Sequence, residues 1–256
     1  MGNYSITVVV PTYNHENYIL EAIESIARQS LISDCLVVVS DDCSNDSTFN
    51  IAKKAAGLRK NFVVQRNANN IGVMPHYQKL VERLETPFTA FLEGDDIWLS
   101  NTRLEALRDI LIRNSTIAMC FSACIVQFES SGQRTHRPPW NSGRNRLVHI
   151  MDLIYENPIV TFSNCIYRTP DLKRAILGPD SAMGYDWLCN MKIALMADIA
   201  FVAEPSTLYR VHSFGHWSKL TEEKQNVLKL QSLKALLQCS PPNLHPYIRA
   251  AIEDLL

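Results

Sequence analysis

Three short polar clusters, each placed directly after an apolar segment, carry the side chains most capable of chemistry. They span residues 11–14 (Pro-Thr-Tyr-Asn), 41–46 (Asp-Asp-Cys-Ser-Asn-Asp) and 93–96 (Glu-Gly-Asp-Asp). Because crowded carboxylates repel one another, such clusters need a cation or hydrogen-bond donors to compensate. Mg²⁺ and Mn²⁺ take carboxylate oxygens and share their remaining positions with water and substrate phosphates. The clusters therefore predict a metal-dependent site for a substrate that carries phosphate.

Glycine-rich phosphate loops are missing from the sequence. The nine glycines are dispersed, and no Gly-x-Gly occurs. Neither a dinucleotide fingerprint nor a Walker A loop can be drawn, which disfavours dehydrogenases and P-loop NTPases. We therefore expect a metal ion and side chains to hold the diphosphate.

The segments around the clusters predict an α/β fold. Apolar segments at 6–10, 36–39, 62–64 and 88–92 alternate with segments of helical spacing at 19–27, 48–54 and 77–84. Strands that are apolar on both faces and alternate with helices indicate a parallel sheet covered on both sides. Ligands of such a sheet bind outside the carboxyl ends of its strands, so we expect the three clusters to share one cleft.

The second half of the chain gives a more mixed pattern. It predicts helices at 104–111 and 187–197, strands at 117–128, 159–167 and 199–203, and a polar loop with four arginines at 130–146. From residue 220 the spacing is helical, with a break at Pro241 and Pro242. The sequence leaves open whether these last helices pack on the sheet, form a dimer or lie on a membrane.

Composition narrows the class of protein. The chain has 256 residues, 46% of them hydrophobic, and a formal net charge of −1, which argues against disorder and against a dedicated nucleic-acid binder. It shows neither a membrane-span pattern nor a signal peptide. The seven scattered cysteines suggest no disulfide framework or zinc site and are expected in the core. We expect a cytoplasmic protein, with peripheral attachment to the inner face of the membrane left open.

The ordered motifs resemble those of family 2 glycosyltransferases with the GT-A fold. The matching stretches are 8–14, 40–47, 91–98, 184–187, 209–212 and 215–218. The resemblance is strong over 4–101 and 180–218 and weak over 102–179. It implies a Rossmann-like, mostly parallel sheet flanked by helices in a catalytic domain at 1–218, with a C-terminal helical extension at 219–256. Residues 1–101 would bind the nucleotide sugar and 102–218 the acceptor.

The resemblance also implies roles for single residues. Pro11, Thr12 and Tyr13 would line the nucleobase pocket, Asp42 would accept a hydrogen bond from uracil or thymine, and Asn70 belongs to a matching Asn-x-Gly loop. Asp95 would lie near the ribose and the metal, Asp96 would be the direct metal ligand, and His212 a further metal or diphosphate contact. Asp186 would be the catalytic base.

The sequence departs from the family's motifs at two positions. Glu93 replaces the commoner Asp, and Tyr185 replaces the Glu of a Glu-Asp pair.

The implied activity is metal-dependent (Mn²⁺ or Mg²⁺), inverting transfer of a hexosyl or N-acetylhexosaminyl group. The donor would be a UDP- or dTDP-sugar, and the acceptor a carbohydrate or lipid-linked hydroxyl in bacterial surface polysaccharide, lipopolysaccharide or capsule synthesis. A sugar nucleotidyltransferase is an alternative, although it should carry a Gly-rich loop and a Lys near the first strand. A non-catalytic nucleotide-sugar-binding relative is another, although Asp95, Asp96 and Asp186 argue against it.

Each motif also has a purely structural interpretation. The 41–46 cluster is ordinary helix-capping sequence, Asp186 would favour the dipole of a helix that begins there, and His212 could be a hydrogen-bonded structural histidine. The arginines of 130–146 are either a solvated loop or contacts to a phosphate-bearing acceptor.

Overall fold

The computed structural model describes residues 4–57, 59–178 and 186–256. Within these residues a ten-stranded sheet has the order β3-β2-β1-β4-β9-β6-β10-β5, and β7 and β8 pair with β6 and β10. The strands are β1 Ile6–Thr12, β2 Cys35–Asp41, β3 Phe62–Arg66, β4 Phe88–Phe91, β5 Ile97–Trp98, β6 Ile117–Phe128, β7 Arg134–Arg137, β8 Arg146–Val148, β9 Cys165–Arg168 and β10 Asp198–Val211.

Helices cover both faces of this sheet. They are α1 Ile19–Ala27, α2 Thr48–Ala56, α3 Val73–Glu82, α4 Arg103–Arg113, α5 Ile150–Ile154, α6 Thr169–Ile176, α7 Asp186–Met196, α8 Glu222–Cys239 and α9 His245–Glu253. Strands β3, β2, β1 and β4 run parallel, as does the long pair β6 and β10, so most of the paired residues are parallel. The predicted α/β class with a mostly parallel sheet is confirmed.

Strand β1 shows why this sheet has a core on each face. All seven of its residues are buried, because helices lie above and below it. Successive side chains of a strand point to opposite faces, so Val8 packs into one hydrophobic cluster with Ile23 of α1. Val9 packs into the other cluster with Phe91. Burial on both faces explains the continuous apolar segment in the sequence.

The register of the parallel strands brings the polar clusters to one edge. Thr12 pairs with Asp41 at the end of β1 and β2, and Asp41 pairs with Arg66 of β3. On the other side of β1, the N–H of Gly94 donates to the carbonyl of Pro11 at 3.1 Å. The three clusters therefore meet at the carboxyl end of the sheet.

Three elements differ from the sequence prediction. The strand expected at 159–167 begins only at Cys165, after a 3₁₀ turn at Phe162–Asn164; Val160 adopts a positive φ of 62°, which a continuous strand does not allow. Strand β10 continues beyond the predicted 199–203 to Val211, because β6 pairs with it as far as Phe128. The loop at 130–146 contains β7, whose polar residues lack the alternation that marks a strand.

The C-terminal helices share the main core. Leu233 and Leu236 of α8 and Ile248 of α9 are buried in one cluster with Leu188 of α7 and Leu153 of α5. None of the described helices combines the length and apolar content that crossing a bilayer demands. Five of the seven cysteines are buried as expected, whereas Cys43 is half-buried and Cys239 is exposed.

Candidate active site

A cavity of about 1250 Å³ lies at the carboxyl end of the sheet. Small-molecule pockets usually occupy about 300–1,000 Å³, so this cavity has room for more than one ligand. Residues from both halves of the chain line it, including Thr12, Asp42, Asp95 and Asp186. Side chains that lie far apart in the sequence therefore share one hollow.

The first two clusters are bound to each other through hydrogen bonds. The backbone N–H of Asn14 donates to Ser44 Oγ at 2.9 Å, and that of His15 donates to Thr48 Oγ1 at 2.7 Å. Asp46 accepts from the N–H of Thr48 at 2.9 Å, so its carboxylate serves as a cap. These contacts hold the end of β1, with Pro11, Thr12 and Tyr13, against the start of α2.

Asp41 and Asp42 are adjacent but have different surroundings. Asp41 is fully buried and pairs with Arg66 Nε at 3.2 Å, so its role is structural. Asp42 lines the cavity, where its carboxylate accepts hydrogen bonds from Asn67 Nδ2 at 2.7 Å and from the N–H of Gly72 at 3.0 Å. Asn70, also in the cavity lining, accepts from the same N–H at 3.1 Å. Asp42 therefore anchors the loop that contains Asn70.

The acidic turn at 93–96 packs tightly against the end of β1. A Cβ atom at Gly94 would come within 2.5 Å of Thr12 Oγ1 and 2.8 Å of His15 Nδ1. Only glycine leaves space for this approach. The Glu93 carboxylate accepts from Tyr77 Oη at 2.8 Å and from Thr161 Oγ1 at 2.7 Å. Burial, followed by the nearby Asp95, raises the pKa of Glu93 to about 7.

Two imidazoles flank the Asp95 carboxylate. Its Oδ2 atom lies 3.0 Å from Nε2 of His212 and 3.4 Å from Nε2 of His15. Burial by itself raises the pKa of Asp95, but the two histidines outweigh it and hold the value below the usual range. Asp95 therefore presents an ionised carboxylate to the cavity.

Asp96 and His212 lie behind the cavity wall. Asp96 is fully buried, and its Oδ1 accepts the backbone N–H of Arg210 at 3.0 Å. Burial, together with Asp95 and Glu93, raises the pKa of Asp96 well above its ordinary value. His212 is 4% exposed, and its Nδ1 has no hydrogen-bond partner within the described residues. Of the three residues predicted as metal contacts, Asp95 is the one that faces the cavity.

The donor set is compatible with a divalent ion but is not a preformed metal centre. No three His, Cys, Asp or Glu side chains in the described part of the chain form a group that could hold a metal alone. Mg²⁺ and Mn²⁺ commonly bind through one or two protein ligands and complete their shells with substrate phosphates and water. The ionised Asp95 carboxylate, which lines the cavity, can serve as such a protein ligand.

Asp186 is the first residue of α7 and lines the same cavity. Its Oδ2 accepts a hydrogen bond from Asn157 Nδ2 at 2.9 Å. Burial raises the pKa of Asp186, and the hydrogen bond from Asn157 opposes that rise. The departure noted at Tyr185 and the preceding Gly184 lie outside the described residues.

One face of α8 closes another side of the cavity. Its lining residues are Gln225, Leu228, Lys229, Ser232 and Leu233, which have the spacing of a single helical face. Two exposed aromatic side chains, Tyr155 and Phe214, also contribute to the lining. Of the arginines between 130 and 146, Arg137 belongs to the lining, whereas Arg134 donates to Gln127 Oε1 at 2.9 Å. This side of the cavity is therefore more apolar than the acidic turn.

The structure places most of the predicted site residues in the cavity lining. They are Pro11, Thr12, Tyr13, Asp42, Asn70, Asp95 and Asp186. Among the lining residues that sequence reasoning did not assign to the site are His15, His76, Asn157 and Thr161. The position of His15 directly after the 11–14 cluster could have indicated it. Residues 155–161 carry no motif or periodicity that would have revealed the other wall.

The sequence pattern of Glycosyl transferase family 2 matches residues 7–175. An uncharacterised protein of Mycobacterium tuberculosis strain H37Rv is 27% identical over 213 residues, which cover 83% of this chain and 60% of that protein. The chain thus spans about 60% of the length of its mycobacterial relatives. The poly(ribitol-phosphate) beta-N-acetylglucosaminyltransferase TarS of Staphylococcus aureus is 36% identical over 91 residues, 35% of this chain and 16% of TarS.

Solved structures show a similar architecture along almost the whole chain. TarS 1–349 in complex with UDP-GlcNAc superposes with a TM-score of 0.75 at 22% identity, covering 98% of this chain and 71% of that one. A mannosyltransferase of Pyrobaculum calidifontis in complex with GDP-Man and Mn²⁺ gives a TM-score of 0.71 at 20% identity, covering 98% and 70%. The GT-A fold that the motifs implied is confirmed by these similarities.

Proposed function

The chain belongs to glycosyl transferase family 2, and we propose that it transfers a sugar from a nucleoside diphosphate sugar to an acceptor hydroxyl with inversion. The observation that carries this proposal is the shared cavity in which Asp42, Asp95 and Asp186 present carboxylates from three separate elements. Asp42 would serve the nucleobase, Asp95 the ribose and the metal, and Asp186 the attacking hydroxyl.

The nucleotide would bind at the end of β1. Pro11, Thr12 and Tyr13 supply the wall of the base pocket, and Tyr13 is 36% exposed, so its ring can cover a base. The Asp42 carboxylate would accept the N–H of uracil or thymine, and Asn70 completes the loop beside it. A UDP- or dTDP-sugar is therefore the proposed donor.

Asp95 would bind the divalent ion, Mn²⁺ or Mg²⁺, and would also lie near the ribose. His212, whose Nε2 lies 3.0 Å from Asp95 Oδ2, would be a further contact. When bound, such an ion supplies Lewis-acid stabilisation of the charge that develops on the leaving diphosphate. We propose Asp95 rather than Asp96 as the direct ligand. The full burial of Asp96 and its hydrogen bond from the N–H of Arg210 support this choice. We propose that Asp96 instead fixes the acidic turn against β10.

Asp186 would act as the general base. The acceptor hydroxyl loses its proton to the Asp186 carboxylate while its oxygen attacks C1 of the sugar. The bond from C1 to the diphosphate oxygen breaks, and the diphosphate leaves with the electron pair. A single base on the face opposite the leaving group gives inversion, and base catalysis of this kind contributes about 10²–10⁴-fold to the rate.

The acceptor would lie against α8 and the segment that contains Tyr155. The mixed face of α8, with Leu228 and Leu233 among polar side chains, and the exposed Phe214 suit a carbohydrate or lipid-linked acceptor. Arg137 and Lys229 offer positive charge. A role in bacterial surface polysaccharide synthesis is supported by the poly(ribitol-phosphate) named as the substrate of TarS. We further propose that the donor carries a hexosyl or N-acetylhexosaminyl group and that the protein acts in the cytoplasm. Residues 219–256 would contribute to the acceptor wall of the 1–218 domain.

The test is a panel of UDP-, dTDP- and GDP-sugars incubated with Mn²⁺ and the protein, with release of the nucleoside diphosphate measured. We expect hydrolysis of one donor class and an increase with a matching acceptor. A sugar nucleotidyltransferase would instead release pyrophosphate from a nucleoside triphosphate and a sugar phosphate. A non-catalytic relative would bind a nucleotide sugar, seen as thermal stabilisation, without releasing any product.

A further inference from the structure

The segment at 155–161 forms one wall of the cavity, although no sequence motif marks it. Its lining residues are Tyr155, Glu156, Asn157, Val160 and Thr161. It connects the end of α5 to the 3₁₀ turn that precedes β9. The proposed base, Asp186, lies at the start of α7. This wall and Asp186 therefore come from separate elements, and a direct contact between them would fix the position of the carboxylate.

Asn157 provides that contact. Its Nδ2 donates to Asp186 Oδ2 at 2.9 Å. Its Oδ1 accepts the backbone N–H of Ile159 at 3.2 Å and that of Val160 at 3.4 Å. The amide is therefore held on one side by its own turn and uses its other side to orient the carboxylate.

The turn that holds Asn157 is conformationally strained. Val160 has a φ of 62°, in the left-handed region that β-branched residues rarely occupy. Such a residue persists only where its surroundings determine the conformation, and these residues concentrate at functional sites. The two N–H groups that donate to Asn157 Oδ1 lie in this turn, so the strained backbone conformation sets the orientation of the amide.

The other end of the segment is bound to the acidic turn. Thr161 Oγ1 donates to Glu93 Oε2 at 2.7 Å and accepts the N–H of Ser163 at 3.0 Å. Asn157 therefore connects this short segment to Asp186, and Thr161 connects it to Glu93, two positions before Asp95. Through these two hydrogen bonds the segment links the Asp186 carboxylate to the acidic turn.

We propose that Asn157 is the positioning residue for the Asp186 carboxylate, whose Oδ2 the amide holds so that the carboxylate is oriented toward the acceptor hydroxyl. This inference rests on the proposed function. It assigns to the 155–161 segment a role that its sequence does not suggest, and it makes Asn157 a determinant of the rate rather than of donor affinity.

Removal of the Asn157 amide should raise the pKa of Asp186 and shift the pH dependence of the rate. The hydrogen bond stabilises the ionised carboxylate, so its loss raises the pKa of Asp186 further above the ordinary value. A base must be ionised to accept a proton, so the acid limb of the rate profile moves to higher pH. Within the described residues, the titratable groups that interact electrostatically with Asp186 include Tyr77, Glu93, Cys165, Tyr167, Cys189 and Tyr209.

The experiment compares the pH dependence of kcat for the wild type, Asn157→Ala and Asn157→Asp. We expect a fall in kcat of about tenfold or more, donor KM within about twofold, and an acid limb displaced upward, more for Asn157→Asp because it adds a second carboxylate. Asn157→Asp keeps the oxygen that accepts the turn N–H groups, so it serves if Asn157→Ala does not fold.

Asn141→Ala is the matched control. Asn141 also accepts an N–H two residues ahead, that of Gly143 at 2.9 Å, and donates to the carbonyl of Ala203 at 2.9 Å, but it lies outside the cavity lining. Its pH profile should coincide with that of the wild type. An acid limb that stays in place in both Asn157 variants would overturn the inference. Failure of the wild type to turn over any nucleotide sugar would instead overturn the proposed function.

Discussion

The Nε2 atom of His212 lies 3.0 Å from Oδ2 of Asp95, although 117 residues separate the two in the chain. The long strand β10 makes this contact possible, because its end lies beside the acidic turn and carries His212 just beyond Val211. The carboxylate is kept ionised by His212 and His15 together. The ionised Asp95 carboxylate on the cavity wall is the kind of oxygen ligand that a divalent cation takes.

Asp95→Ala should weaken metal-dependent nucleotide binding. Removal of the ionised carboxylate beside His212 should lower the affinity for UDP plus Mn²⁺ by more than about tenfold, which calorimetry can measure. The matched control is Asp109→Ala, which removes a half-buried carboxylate from α4 that pairs with Arg108 at 3.1 Å. Unchanged UDP affinity in Asp95→Ala would remove this residue from the metal site.

Asp96→Asn distinguishes a buried support from a metal ligand. Because the pKa of Asp96 is raised well above its ordinary value, a neutral amide of the same shape should be tolerated, and the protein should stay folded. We expect the affinity for UDP plus Mn²⁺ to remain within a fewfold of the wild type. If this affinity instead falls as far as in Asp95→Ala, the sequence-based assignment of Asp96 as the direct ligand is correct.

Asp186→Asn should separate binding from turnover. The amide cannot take the proton of the acceptor hydroxyl, so we expect kcat to fall by about 10²–10⁴-fold, while calorimetric affinity for UDP plus Mn²⁺ stays the same. Circular dichroism would establish that α7 is still formed. Turnover near the wild-type rate would place the base elsewhere in the cavity.

The rate of sugar transfer should rise with pH along an acid limb, and the midpoint of this rise should lie above the ordinary pKa of aspartate, about 3.9. Burial raises the pKa of Asp186, and the ionised form is the active one, so activity is lost as pH falls through that raised value. The limb should persist in Glu93→Gln. Its disappearance in that variant would assign the limb to Glu93, whose pKa is about 7.

Arg137→Ala should weaken use of the acceptor without affecting the donor. Arg137 lines the cavity on β7, so loss of its charge should raise the KM for a phosphate-bearing acceptor several-fold. Arg134→Ala, a variant of the same strand whose side chain bonds Gln127 instead, is the control. An equal effect of Arg137→Ala on donor hydrolysis would contradict a role in acceptor binding.

Adjacent carboxylates show how far the sequence could predict the site. The motifs correctly placed 41–46 and 93–96 at one edge of the sheet, because strand ends of a parallel sheet share an edge. The spacing of the motifs does not distinguish Asp41 from Asp42 or Asp95 from Asp96. The resemblance singled out Asp42, which lines the cavity, but it also made Asp96 the direct metal ligand, and Asp96 is fully buried outside the cavity lining. The path of each turn decides which carboxylate of a pair reaches the cavity.

The α/β class and the convergence of the polar clusters can be predicted from the residues alone, since both follow from local burial patterns that repeat along the strands. That α8 joins the cavity wall and that Asn157 holds Asp186 is visible only in the folded chain. These contacts join elements that are distant in the chain, and they depend on packing in three dimensions rather than on the spacing of residues within any one element.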